Sequence, residues 1–141
     1  MNQNKHVELT GGCLCGGVRY ELATHPKTIT ACHCSQCRRM TGHYMAAALV
    51  KKSKLNITES RGLSWYRSSS IARRGFCNEC GSTLFWDGDA LDEIGIAAGT
   101  LDDTSEIKLT AHVFAPDKGD YYEITDGLPQ YESDEELNDH Q

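Results

Sequence analysis

The chain has 141 residues, is 39% hydrophobic and 24% charged, and carries a net charge of −6. That length suits one globular domain, and no apolar run approaches the roughly 20 residues a membrane span needs. Glu132, Asp134, Glu135, Glu136 and Asp139 crowd the end of the chain, and without these five acids the charge is near −1, so no basic face argues for nucleic acid. We therefore expect a single domain over residues 1–131, an acidic solvated tail over 132–141, and neither a nucleic-acid nor a membrane partner. The opening residues Met1-Asn2-Gln3-Asn4-Lys5-His6 hold no apolar leader segment. Seven cysteines without a leader point to reduced thiols in the cytoplasm, and so to metal or catalysis instead of disulfides; the odd count agrees, because seven cannot all pair.

In chain order, most of the sequence reads as short strands. Val7-Glu8-Leu9 alternates, and Gly11-Gly12 then predicts a turn into the loop at 13–17. Residues 18–22 alternate cleanly and stop at His25-Pro26-Lys27. The apolar run 44–50, preceded by the break at Thr41-Gly42, predicts a buried strand. Residues 55–58 and 63–68 read as two more, 71–76 as a strand leading into Cys77, and 82–86 as one leading to a turn at Asp87-Gly88-Asp89. Residues 93–98 predict a central strand, and 110–114 and 121–124 the last two. Helix signals are confined to single turns at 35–41 and 101–104. The pattern is that of a mainly β domain of short antiparallel strands with little helix.

The cysteines fall into three groups. Cys13 and Cys15 form C-x-C, Cys32, Cys34 and Cys37 form C-x-C-x-x-C, and Cys77 and Cys80 form C-x-x-C followed by Gly81. Thiols this close suit convergence on one ion, since a tetrahedral zinc holds its sulfurs at about 2.3 Å. The glycine after the second cysteine of the C-x-x-C lets the backbone turn so that N–H groups reach the sulfur. Seven ligands divide most simply as four and three. Cys13, Cys15, Cys77 and Cys80 would close one structural zinc site, and Cys32, Cys34 and Cys37 would hold a second zinc with a position open. The competing division, Cys32 and Cys34 with Cys77 and Cys80, strands Cys37 and leaves Cys13 and Cys15 short of partners. An open zinc with three thiolates carries a net negative charge and is a weak generator of hydroxide. It is better matched to an incoming thiol, which would be held deprotonated as a nucleophile. Arg38 and Arg39, just past this loop, are candidates for binding the carboxylates of an anionic thiol.

These motifs carry a resemblance. Residues 12–20, Cys32-His33-Cys34-Ser35-Gln36-Cys37-Arg38-Arg39, Phe76-Cys77-Asn78-Glu79-Cys80-Gly81-Ser82, 98–103, His112-Val113-Phe114 and Asp126-Gly127-Leu128-Pro129 stand in the order seen in the glutathione-dependent formaldehyde-activating enzyme family, whose domain centromere protein V shares. The resemblance spans residues 7–131. It implies a β-tent type of fold with two zinc ions, a structural one on Cys13, Cys15, Cys77 and Cys80 and a catalytic one on Cys32, Cys34 and Cys37. It also implies a carbon–sulfur lyase of the S-(hydroxymethyl)glutathione synthase kind, with glutathione and formaldehyde as the thiol and aldehyde partners. A zinc-stapled binding module without turnover, or a thiol-based redox or storage protein, are the alternatives.

The remaining candidates read more simply. His33 is expected at the surface or behind the metal ligands, because adjacent side chains in an extended loop diverge. His112 is expected as a satisfied core histidine, His43 and Tyr44 as packing residues, Trp65 and Trp86 as core, Asp126 as part of a turn, and Asp102 and Asp103 as helix caps.

Overall fold

The computed structural model describes residues 6–135. Its strands are β1 (Leu9–Gly12), β2 (Arg19–Leu22), β3 (Thr28–Cys32), β4 (Met45–Lys51), β5 (Leu55–Glu59), β6 (Leu63–Arg67), β7 (Ala72–Cys77), β8 (Thr83–Gly88), β9 (Glu93–Ala97) and β10 (Lys108–Val113); the helix α1 is Ser35–Thr41. One sheet has the order β1-β2-β5 and the other β10-β3-β4-β9-β8-β7-β6. The mainly β expectation holds, with a refinement: β10 runs parallel to β3, and the other strand pairs are antiparallel. Of the tail expected at 132–141, residues 136–141 lie outside the described residues.

Period-two alternation decides which faces meet. Tyr20 and Leu22 of β2 are buried while Arg19 and Glu21 are only half-buried. They join Val50, Leu84, Phe85, Ile94 and Ile96 from the larger sheet, so the core lies between the two sheets. Tyr20 meets Phe85 edge to face at 5.5 Å. β9 sits in the middle of the seven strands, and its Ile94, Gly95 and Ile96 are all buried, as a central strand requires.

Several local expectations need correction. Gly11 and Gly12 do not turn the chain; they end β1. Gly11 is needed for close approach, since a Cβ there would lie 2.6 Å from the Thr100 carbonyl oxygen and would run into the Tyr20 ring, whose hydroxyl bonds Thr100 Oγ1 at 2.7 Å. Gly11→Ala is therefore expected to destabilise the fold by about 2 kcal/mol through overpacking, read as a lower urea midpoint with the slope unchanged. The turn expected at 87–89 comes later, because Asp87 and Gly88 belong to β8. The helical turn expected at 101–104 is absent: Leu101 bridges Gly11, and the 3₁₀ turn precedes it at Ala98–Thr100. Asp102 instead pairs with Arg19 and Thr10, and Asp103 accepts from the Ser105 amide. Residues 121–124 form no strand, and β3 was not anticipated at all.

Asp87 is a buried carboxylate, its side chain 11% exposed, paired with Lys52 at 2.8 Å and Arg73 at 2.9 Å. Arg73 also stacks on Trp65, 3.8 Å from the ring centre. Trp65 and Trp86 are accordingly half-buried, not fully interior. Burial favours the neutral acid at Asp87, but the ammonium and guanidinium outweigh it and hold the carboxyl below its usual range. A lowered folded pKa means stability that is present above the unfolded carboxylate pKa and lost as pH falls through the folded value. Asp87→Asn is expected to cost about 2 kcal/mol at pH 7, less than a fully buried pair because both cations are partly solvated, and the gap to wild type should close below about pH 4. Urea titrations at pH 7 and pH 3 check both parts.

Candidate metal centres and the cleft beside them

Two cysteine groups form, and they follow the four-and-three division. Cys13 follows β1, Cys15 lies in the next loop, Cys77 ends β7 and Cys80 sits in the turn beyond. Their four sulfurs all lie within 4.8 Å of one another. Cys15 Sγ is 3.7 Å from both Cys13 Sγ and Cys77 Sγ. Sulfurs about 2.3 Å from a shared tetrahedral ion stand about 3.8 Å apart, so donor type and spacing both fit zinc. Backbone amides and a hydroxyl reach three of the group's sulfurs. The Val18 amide donates to Cys13 Sγ at 3.2 Å, and the Gly17 amide to Cys15 Sγ at 3.4 Å. The Ser82 hydroxyl, 3.2 Å from Cys80 Sγ, and then the Ser82 and Cys15 amides bring the Cys80 thiol down to about 5. Gly81 provides the turn anticipated after Cys80, at φ +82°.

Cys32, Cys34 and Cys37 form the second group, again with all sulfurs within 4.8 Å. Cys32 ends β3, held between Val113 of β10 and Met45 of β4. Cys34 is the N-cap of α1, and its Sγ accepts from the Cys37 amide at 3.3 Å. Residues three apart share a helix face, so the cap and the first turn aim Cys34 and Cys37 the same way. Gly42 ends the helix in the left-handed conformation. Hydrogen bonds from the Cys32 thiol and then the Cys37 thiol, with amide help, draw the Cys34 thiol down to about 2, while the same contacts push Cys32 up. Past α1, a cleft of about 440 Å³ opens between Thr41, Tyr44, Met45, Gly81 and Gly99. Thr41 is bonded to the Cys37 carbonyl, and Met45 is the ladder partner of Cys32, so the cleft shares its wall with the backbone that carries the three-sulfur group, while Gly81 on its other side follows Cys80.

The sequence reading missed Arg74. It lies on β7, is 2% exposed, and its Nη2 donates to Cys37 Sγ at 3.3 Å. Nε and Nη2 also donate to Gln36 Oε1, at 3.1 and 2.9 Å. A signal was available: neighbouring side chains of a strand face opposite ways, so one of Arg73 and Arg74 had to point inward. Arg38, by contrast, is half-buried with its Nε unpartnered, and Arg39 is exposed.

His33 does diverge from the sulfurs, but it is not at the surface: it is 1% exposed. The other side of its loop is covered by residues 119–126, which forgo a strand ladder and are tied by side chains. Asp126 Oδ2 accepts from His112 Nε2 at 2.7 Å, which leaves His112 Nδ1 to accept from His33 Nε2 at 2.9 Å. His33 Nδ1 then accepts from the Tyr122 hydroxyl at 2.5 Å. Burial, the largest cause, lowers His33 to about 4, so the ring is neutral near pH 7. His112 is the satisfied core histidine expected. Asp126 does turn the chain, through the Leu128 amide, and also anchors this row of rings. His43 is exposed and bonds the Tyr121 hydroxyl, and Tyr44 packs on His33 while lining the cleft.

The model of the family described as glutathione-dependent formaldehyde-activating enzyme matches residues 8–117. The chain belongs to that family. Among its relatives, an uncharacterized lyase of Schizosaccharomyces pombe is 28% identical over 130 residues, covering 91% of this chain and 93% of that one. A crystal structure of a Rhodobacter sphaeroides protein superposes with a TM-score of 0.57 at 28% identity, over 72% of this chain and 99% of that chain. The family match over residues 8–117 takes in all ten strands, from β1 to β10. Among the described residues no helix is long and apolar enough to cross a membrane.

Proposed function

We propose that the protein is a zinc-dependent carbon–sulfur lyase that joins a small thiol to a small aldehyde and reverses that addition, with glutathione and formaldehyde as the pair. The observation that carries this reading is the trio Cys32, Cys34 and Cys37: three convergent sulfurs with no fourth protein ligand among the described residues. In this reading Cys13, Cys15, Cys77 and Cys80 hold a second, structural zinc. At the trio, zinc would supply a position where an incoming thiol gives up its proton. The chain's own residues do the rest. The cap and first turn of α1 fix two sulfurs, Arg74 balances their negative charge, and the cleft receives the body of the thiol. Arg38 and Arg39, at the end of the same helix, meet the carboxylates of a thiol such as glutathione. Reduced thiols in this number suit the cytoplasm. Because addition of a thiol to formaldehyde proceeds unaided, the site needs to supply only thiolate and orientation. The test is metal analysis followed by exchange spectroscopy on glutathione and formaldehyde. Zinc at both cysteine groups, and adduct exchange faster than in protein-free buffer, is the expected result; a zinc-loaded protein that leaves the exchange rate unchanged overturns the proposal.

A further inference from the structure

Arg74 has more donors than partners. Its Nε and Nη2 both reach Gln36 Oε1, Nη2 also reaches Cys37 Sγ, and Nη1 is buried with no acceptor. A guanidinium is planar and its donors are fixed in direction. The Nε–H and the inner N–H of Nη2 make one edge of the fork, and Gln36 occupies it. The outer N–H bonds of Nη2 and Nη1 leave the end of the fork side by side. With Nη2 directed at Cys37 Sγ, the adjoining N–H of Nη1 points the same way, alongside that sulfur. A charged donor in a residue 2% exposed, without an acceptor, is rare and costly, and is accounted for when a ligand completes it. On α1, Arg38 Nε is likewise buried and unpartnered. The arginines that do pair with carboxylates among the described residues are Arg19, Arg61, Arg67 and Arg73.

We propose that Arg74 Nη1 forms an oxygen subsite beside the sulfur of a thiol seated at the Cys32–Cys34–Cys37 group. Its ligand class is a thiol carrying an oxygen one or two carbons from sulfur, above all the hydroxyl of a thiol–aldehyde adduct. The subsite deepens the proposed function and rests on it for the adduct. In the addition, the thiolate sulfur attacks the carbonyl carbon, the C–S bond forms, and the π pair moves onto oxygen. Arg74 Nη1–H hydrogen-bonds that oxygen as its charge develops. The oxygen then takes a proton from water, balancing the one the thiol released, and breakdown follows the same path in reverse. Arg74 stays protonated throughout.

The experiment compares 2-mercaptoethanol with 1-propanethiol, which differ by a hydroxyl for a methyl, binding to the zinc-loaded protein by calorimetry. Wild type is expected to prefer 2-mercaptoethanol by about tenfold, the effect of one charge-assisted hydrogen bond. Arg74→Met is expected to keep its zinc and reverse the order. Arg74→Lys keeps the charge without the fork and is expected to lose most of the preference. Gln36→Leu leaves the guanidinium in place but unoriented, and is expected to weaken the preference at unchanged zinc content. In turnover, Arg74→Met should lower kcat by about 10²-fold with little change in KM for the thiol. Zinc-loaded Arg74→Met or Arg74→Lys with the wild-type preference would overturn the subsite. A wild-type preference without aldehyde exchange would retain the subsite and remove the proposed reaction. Exchange without any preference would do the opposite.

Discussion

Cys77→Ser is expected to leave the protein without a cooperative fold at ordinary temperature. Cys77 is fully buried at the end of β7, in the larger sheet, and its sulfur lies 3.7 Å from that of Cys15, 62 residues earlier. Cys13 and Cys15 belong to the loop joining β1 and β2, in the smaller sheet. An ion held by these four sulfurs therefore cross-links the two sheets whose inner faces make the core. Structural zinc in small domains supplies about 10–16 kcal/mol of folding free energy. A domain of this size has about 5–15 kcal/mol in all, so losing one soft ligand removes an amount comparable to the total. Serine also leaves a hydroxyl buried where a thiolate stood. Far-ultraviolet circular dichroism during heating, with metal analysis, reads the outcome, and removal of metal from wild type by a strong chelator should give the same collapse. A Cys77→Ser protein that melts at the wild-type temperature would show that the four-sulfur group does not carry the fold.

The strand pattern was readable where its causes are local. β2, β5, β6 and β7 alternate or sit between turn residues, and the run before Val50 was long enough for a strand and too short for a confident helix. What failed depended on partners far away in sequence. β3 is short, follows a proline turn, and is stabilised by lying parallel to β10, a pairing that leaves no nearby trace. Residues 121–124 alternate like a strand, but Tyr122 is committed to His33 and the Tyr122 carbonyl to the Lys118 ammonium, so the backbone never joins a ladder. Gly11 looked like a turn because glycine permits one; the crowding by Tyr20 and Thr100 that requires it is a tertiary fact.

The site divides in the same way. The seven sulfurs declared themselves because metal geometry forces ligands from one loop to be close in sequence; spacing assembled the trio, and the four-sulfur group followed from pairing the two remaining two-cysteine loops. The residues that serve those sulfurs are scattered. Arg74 comes from the strand before the C-x-x-C yet reaches the other group, and His112, Tyr122 and Asp126 come from the far end of the chain to surround His33. No spacing rule links such residues. Only the alternation of Arg73 and Arg74, and the row of apolar neighbours around His112, hinted at burial.

Cys34→Ser should separate chemistry from folding. Cys34 is the N-cap of α1, and serine is among the best N-cap residues, so its hydroxyl can take over the Cys37 amide that Sγ now accepts at 3.3 Å. The helix, and the packing of the buried Cys37 beneath it, should survive, and the melting temperature should move by only a few degrees, as for a change of about 1 kcal/mol. A serine hydroxyl, however, neither carries a thiolate's charge near neutral pH nor offers a soft donor. The variant is expected to keep metal at the four-sulfur group, lose it at the trio, and exchange the thiol–aldehyde adduct at the rate of protein-free buffer. Even residues that merely support metal ligands cost about 10–100-fold when replaced, so loss of a ligand should remove at least that much. Equal exchange rates in wild type and Cys34→Ser, at equal fold and with one metal missing, would take the trio out of the reaction.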